Sequence, residues 1–202
     1  MGLLHVLLGR ATRSRLLSAA LGVLALVSGS AVSSHAAVVG FTGTYDVANW
    51  TLTSDPAGGS GSVNTALAPA SVTITGSDNF GAIGYIQVDT DYTVVAAGTG
   101  LVSFDWSYSS TDCCHFDSFG YLLNGSFTQL VQNDTQGSGS TQFNVVQGDT
   151  FGFRVRSIDN CCGAGVATIS SFDAPVPEPT SMAIFGIGAL GMAYGARRRR
   201  RA

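Results

Sequence analysis

The chain has 202 residues, 45% of them hydrophobic and 11% charged, which allows one domain of ordinary size with tails. All ten basic residues are Arg: Arg10, Arg13 and Arg15 near the start, Arg197 to Arg201 near the end, and only Arg154 and Arg156 between. Residues 37–176 set twelve Asp against two Arg, a formal charge of −10, which excludes nucleic acid and anionic lipid as partners of that stretch and leaves cations or plain solvation.

In chain order, the first predicted element is a secretory signal. Arg10, Arg13 and Arg15 precede an apolar run from Leu16 to Val27, and small residues follow as far as Ser34-His35-Ala36. A positive region, an apolar stretch and small residues at −3 and −1 are the parts of a signal peptide over 1–36, cut by signal peptidase after Ala36. The apolar run is short for a retained anchor. The mature chain then starts near Ala37 and meets an oxidising compartment.

Residues 37–174 carry short alternating runs between clusters of Gly, Ser, Asn and Asp, the pattern of an all-β domain. Val72 and Ile74 alternate with Ser71, Thr73 and Thr75. Val102, Phe104, Trp106 and Tyr108 alternate with Ser103, Asp105, Ser107 and Ser109. Phe151, Phe153 and Val155 alternate with Gly152, Arg154 and Arg156. One dry and one wet face per run predicts two antiparallel sheets stacked as a β-sandwich, jelly-roll-like, of eight to ten strands. Asn124-Gly125 predicts a two-residue hairpin, and Gly148-Asp149 a turn. The stretches 58–62 and 136–140, rich in Gly and Ser, read as flexible loops.

Four Cys stand as two adjacent pairs, Cys113-Cys114 and Cys161-Cys162, each in a loop between predicted strands. Neighbouring Cys rarely bond to each other, because the eight-membered ring strains the peptide. Two bonds between the loops are expected instead: Cys113–Cys162 with Cys114–Cys161, or the parallel alternative. Either would bring distant segments together at one end of the sandwich. Tetrahedral zinc is the rival reading, and Cys-Cys spacing serves it poorly.

Chemistry is sparse. After the predicted cut, His115 is the only His, beside Cys114 and near Asp112 and Asp117. A nucleophilic Cys–His pair is conceivable there, but paired thiols in an oxidising compartment are not nucleophiles. No HExxH, GxSxG or P-loop pattern occurs. The hard oxygens of Asp112, Asp117, Asp159 and Asn160 would suit calcium if the two Cys loops converge, or they simply cap turns. Trp50, Trp106, Tyr108 and Tyr121 could stack on sugar rings. Trp106 and Tyr108 fall on an apolar face and read as core, which leaves Trp50 as the freer candidate.

At the C-terminus, three Pro in Pro175-Val176-Pro177-Glu178-Pro179 break regular structure. The uncharged stretch Ser181 to Ala196 follows, then Arg197-Arg198-Arg199-Arg200-Arg201. An apolar stretch ending in a basic block predicts a transmembrane helix over 181–196 with its end in the cytoplasm. Sixteen residues of helix reach about 24 Å against a hydrocarbon core of about 30 Å, so the span suits a temporary stop better than an anchor.

These features together resemble the PEP-CTERM sorting signal of Gram-negative envelope proteins: Val176-Pro177-Glu178-Pro179, an apolar span and a terminal Arg cluster, here over 175–202. The resemblance implies recognition by exosortase, a transient stay in the inner membrane, removal of the tail, and a final place at the cell surface or in the extracellular matrix of a biofilm. Three stretches, 102–108, 119–125 and 148–155, also resemble a recurrent ectodomain of that family, similar to lectin-type sandwiches. This implies a non-enzymatic module for extracellular polysaccharide. A structural matrix protein without a ligand, or a secreted hydrolase, are the alternatives.

Overall fold

The computed structural model describes residues 37–112, 116–132, 136–177 and 181–199. The signal peptide at 1–36, Cys113, Cys114, His115, Glu178, Pro179, Arg200 and Arg201 lie outside the described residues.

Among the described residues, eleven strands form two antiparallel sheets: β1 (Ala37–Val39), β2 (Thr51–Asp55), β3 (Ser62–Asn64), β4 (Ser71–Thr75), β5 (Val88–Val95), β6 (Gly100–Ser110), β7 (Asp117–Leu123), β8 (Ser126–Gln132), β9 (Gly137–Val145), β10 (Thr150–Ser157) and β11 (Gly165–Pro175). The first sheet has the order β3-β4-β11-β6-β9, with β1 also on β11, and the second has β2-β5-β10-β7-β8. A one-turn helix, α1 (Phe80–Ile83), lies between β4 and β5, and α2 (Ser181–Arg199) follows the sandwich in sequence. Strands of the two sheets alternate along much of the chain, so the connections β4–β5, β6–β7 and β10–β11 all cross between sheets.

The alternation places the core as expected. Val72, Ile74, Val102, Phe104, Tyr108, Ala167 and Ile169 of the first sheet face Tyr92, Phe119, Phe151, Phe153 and Val155 of the second, all buried. Each such aliphatic or aromatic side chain contributes about 1.5–3 kcal/mol by leaving water. The Asn124-Gly125 hairpin forms between β7 and β8, with φ of +50° and +80°, the left-handed pair that a two-residue turn of matching twist needs.

Two expectations need correction, and one strand departs from plain alternation. Residues 137–140 belong to a strand: Gly139 pairs with Trp106, whose indole covers it, and an added Cβ would sit 3.1 Å from the ring. A large cross-strand ring lends a glycine-rich strand the packing it lacks. Strand β11 is bulged between Ser170 and Asp173, with Ser171 at φ +49°, so Phe172 and Ala174 turn inward out of phase with Ile169. Finally, α2 forms, but among the described residues no helix is long and apolar enough to cross a membrane. Its uncharged part is short and carries four Gly, at 186, 188, 191 and 195.

Candidate functional site

Register defines the two ends of the sandwich. Thr75, Ser109 and Val166 are in register across the first sheet, and Val88, Ser157 and Asp117 across the second. The connections 76–87, 111–116 and 158–164, among the several that cross between the sheets, therefore start and finish at one end. The opposite end holds Ala37 beside Pro175, where the sheet stops. Strand β11 runs 11 residues between them, about 35 Å.

The acidic residues expected to converge do so at the crossing-loop end. Ligand atoms of Asp112, Asp159 and Cys162 lie within 4.8 Å of one another. Asp117 is 1% exposed; its Oδ2 accepts from Ser110 at 2.6 Å, and its Oδ1 has no hydrogen-bond partner. Burial pushes the Asp117 carboxyl up to about 6, with a lesser push from Asp112 and Asp159, against hydrogen bonds from Ser110 and Ser157.

Asn160 departs from the expected ligand set. It is fully buried at φ +58°, and its Oδ1 accepts from the Ser77 hydroxyl at 2.6 Å and the Asn79 amide at 3.1 Å. Its Nδ2 donates to the Gly84 carbonyl at 3.2 Å, and its own carbonyl accepts from the Phe80 amide at 2.8 Å. Asn160 is thus a brace that fixes 77–84 against 158–164, with no lone pair turned to a cation.

The Cys pairing also departs from expectation. Cys161 bonds to Cys162, not to Cys113 or Cys114 across the loops. The backbone permits this because Asn160, Cys162 and Gly163 all take positive φ, curling the turn until neighbouring thiols meet. Cys162 therefore offers no thiolate to a metal, and the two segments are joined instead by the Ile158 amide, which donates to the Phe116 carbonyl at 2.8 Å.

Trp50 is core, only 7% exposed. It lies between Tyr92 and Phe153, with ring centroids at 4.9 and 5.5 Å and planes within 18° and 9°, and its Nε1 donates to the Tyr45 carbonyl at 3.0 Å. No face is left for a sugar. Trp106 and Tyr108 are inward as read, Trp106 donating to the Thr141 hydroxyl at 3.1 Å. Tyr121 stacks on Phe143 at 4.3 Å.

The outer face of the first sheet is a feature the sequence reading passed over. Asn64, Thr73, Thr168, Ser107 and Ser138 form one row in register across five strands. Ser71, Ser170, Asp105 and Ser140 form the next row. Thr73 and Thr168 share a hydrogen bond of 3.1 Å between hydroxyls, and Ser140 donates to Asp105, which with a bond from Ser171 holds that carboxyl below its usual range. Two shallow clefts open here, of about 500 Å³ beside Ser107, Gln136, Ser138 and Thr168, and of about 470 Å³ beside Ser103, Asp105, Gln142 and Ser171. The alternating Ser and Thr positions of the sequence were the signal for this face; only the pairing of distant strands assembles them into rows.

Beyond the sheet, residues 175–201 match the PEP-CTERM protein-sorting motif. The chain carries a PEP-CTERM sorting signal. Its first residue, Pro175, is also the last of β11, so the signal begins where the sheet ends. No curated protein matches the chain. Among solved structures, a family 35 carbohydrate binding module from Clostridium thermocellum is similar at 12% identity and TM-score 0.35, over 66% of this chain and 97% of that one. A module in complex with β-1,4-galactotriose, TmCBM61, is similar at 13% identity and TM-score 0.35, over 67% and 94%. At these scores the likeness is loose and says nothing of what this chain binds.

Proposed function

We propose that this PEP-CTERM protein is exported through its N-terminal signal, held briefly at the inner membrane, and processed by exosortase to the cell surface or matrix. There its sandwich binds extracellular polysaccharide without catalysis. The sorting half rests on the motif at 175–201. The binding half rests on the rows of hydroxyls on the first sheet and the two clefts beside them. Each hydroxyl both donates and accepts, which is the complement of a sugar's own hydroxyls. Strands about 4.8 Å apart repeat these groups at nearly the spacing of rings in an extended glycan. The charge of −10 over residues 37–176 favours a neutral polymer over an anionic one.

Intact mass of the protein from its native host tests the sorting half: a chain from near Ala37 to the region 177–179 is expected, and retention of Arg197 to Arg201 overturns it. For the binding half, migration through native gels loaded with neutral polysaccharides is compared for the wild type and Ser107→Arg/Ser138→Arg. Retardation that the double variant loses at least tenfold, with unchanged unfolding, is expected. Free migration of the wild type in every neutral gel overturns this reading.

A further inference from the structure

We infer that the exposed ring pair Phe80–Tyr85 at the crossing-loop end is a second sugar-contact site, one that stacks on a neutral pyranose ring. This rests on the proposed polysaccharide reading and adds a place to it. Phe80 and Tyr85 are 44% and 66% exposed, and outside α2 they are the only exposed aromatic side chains among the described residues. Every other large ring of the domain is buried or half-buried. The two rings stack on each other with centroids 4.8 Å apart and planes 26° apart, so each keeps its outer face for solvent.

The pair is preorganised. Asn160 holds the segment from inside: the Phe80 amide donates to its carbonyl at 2.8 Å, and its Nδ2 reaches the Gly84 carbonyl at 3.2 Å. Asn79 donates to the Gly58 carbonyl at 2.9 Å, and Ser77 donates to the Asn160 side chain at 2.6 Å. Gly84 turns the chain at φ +89°, bringing Tyr85 back over Phe80. A backbone fixed in this way lowers the ordering cost of binding.

Size and charge select the occupant. A stable protein interface needs about 800 Å² from each partner, far more than two rings present. A stacked aromatic pair matches the apolar C–H face of one or two sugar rings. Asp78, two residues before Phe80, and Asp159, next to the Asn160 that braces Phe80, repel an anionic sugar. Position agrees as well: the pair sits at the end of the sandwich away from Pro175, where the sorting signal begins, and so faces away from the point of attachment.

The test is saturation-transfer NMR with four neutral hexasaccharides (β-1,4-gluco, β-1,3-gluco, β-1,4-manno and β-1,4-galacto), for the wild type, Phe80→Ser/Tyr85→Ser and Ser107→Arg/Ser138→Arg. The expected result is transfer from at least one hexasaccharide, with ring protons shifted upfield, reduced at least tenfold in Phe80→Ser/Tyr85→Ser while its thermal unfolding stays as in the wild type. Transfer unchanged in Phe80→Ser/Tyr85→Ser but lost in Ser107→Arg/Ser138→Arg overturns this site and leaves the sheet-face reading standing. Absence of transfer with all four, alongside free migration in polysaccharide gels, overturns both.

Discussion

Arg154 grips Asp91 with two parallel bonds, Nε to Oδ1 and Nη2 to Oδ2, each 2.6 Å, across the centre of the second sheet. Its third nitrogen lies 2.7 Å from Asp89, which Arg156 also holds at 2.8 Å. Both guanidiniums lie over the Phe127 ring, at 5.5 and 4.8 Å. The two cations of the domain are thus committed to structure on the outer face of that sheet, largely out of water. Arg154→Met leaves two poorly solvated carboxylates with one cation, and should cost about 3 kcal/mol in urea unfolding. Adding Asp91→Leu should recover most of that loss, because removing both partners spares the orphaned charge. A double variant no more stable than the single would show that the network has no such coupling.

Asp117 gives stability a pH dependence of unusual sign. Its folded pKa is raised above the unfolded value, so the folded state holds the proton more tightly. The stability this group adds is present below about pH 4 and is lost as pH rises towards about 6. Asp117→Asn should therefore match the wild type near pH 4 and exceed it by about 2–3 kcal/mol above pH 6, on about 1.4 kcal/mol per pKa unit. Urea midpoints of both proteins between pH 4 and 7, in chelator, read the difference directly. A gap that stays flat across this range would mean that Asp117 ionises normally.

The sandwich was legible because its strands obey a period of two, and the Asn124-Gly125 hairpin because its residues tolerate the left-handed conformation the turn requires. Asp112 and Asp159 were expected to meet through bonds between the Cys pairs; they meet instead through the pairing of β7 with β10. What failed depends on partners remote in sequence. Trp50 looks free beside Asn49, yet Tyr92 and Phe153 of the second sheet enclose it. Gly137 to Ser140 reads as a loop until Trp106, more than thirty positions away, covers it. Asn160 reads as a calcium ligand until Ser77 and Gly84 use its side chain. The bulge at Ser171 shifts the alternation with no Gly or Pro to mark it. The Phe80–Tyr85 pair escaped notice because a short turn of helix has no period to read.

Gly152 sits in the middle of β10, between β5 and β7. A methyl group there would run into the carbonyl oxygen of Tyr92 and would lie 2.7 Å from the Cα of Thr93. Both are backbone atoms of a central strand and cannot swing aside. Gly152→Ala should thus destabilise by about 1–3 kcal/mol, although alanine suits a strand no worse than glycine does. Gly81→Ala, with open space around its position, serves as the control and should stay within about 0.5 kcal/mol. Equal midpoints for the two variants would show that β5 and β10 adjust without cost.

Tyr45 ties the domain to the first residues of the sorting signal. Its hydroxyl donates to the Pro175 carbonyl at 2.6 Å and accepts from the Ala97 amide at 3.0 Å. Burial raises the Tyr45 pKa, against smaller lowering effects from the backbone at Ala97 and Gly98, so the hydroxyl remains a donor through neutral pH. Gly98 packs on the next residue, its would-be Cβ 2.7 Å from the Val176 carbonyl carbon. The fold therefore holds the chain through Val176. Tyr45→Phe leaves a half-buried amide and a buried carbonyl short of partners and should cost about 1–3 kcal/mol. Hydrogen exchange should speed at Ala97, and limited proteolysis should move into the end of β11. Cleavage that stays put, with exchange unchanged, would place the anchoring of the signal in the β1–β11 pairing alone.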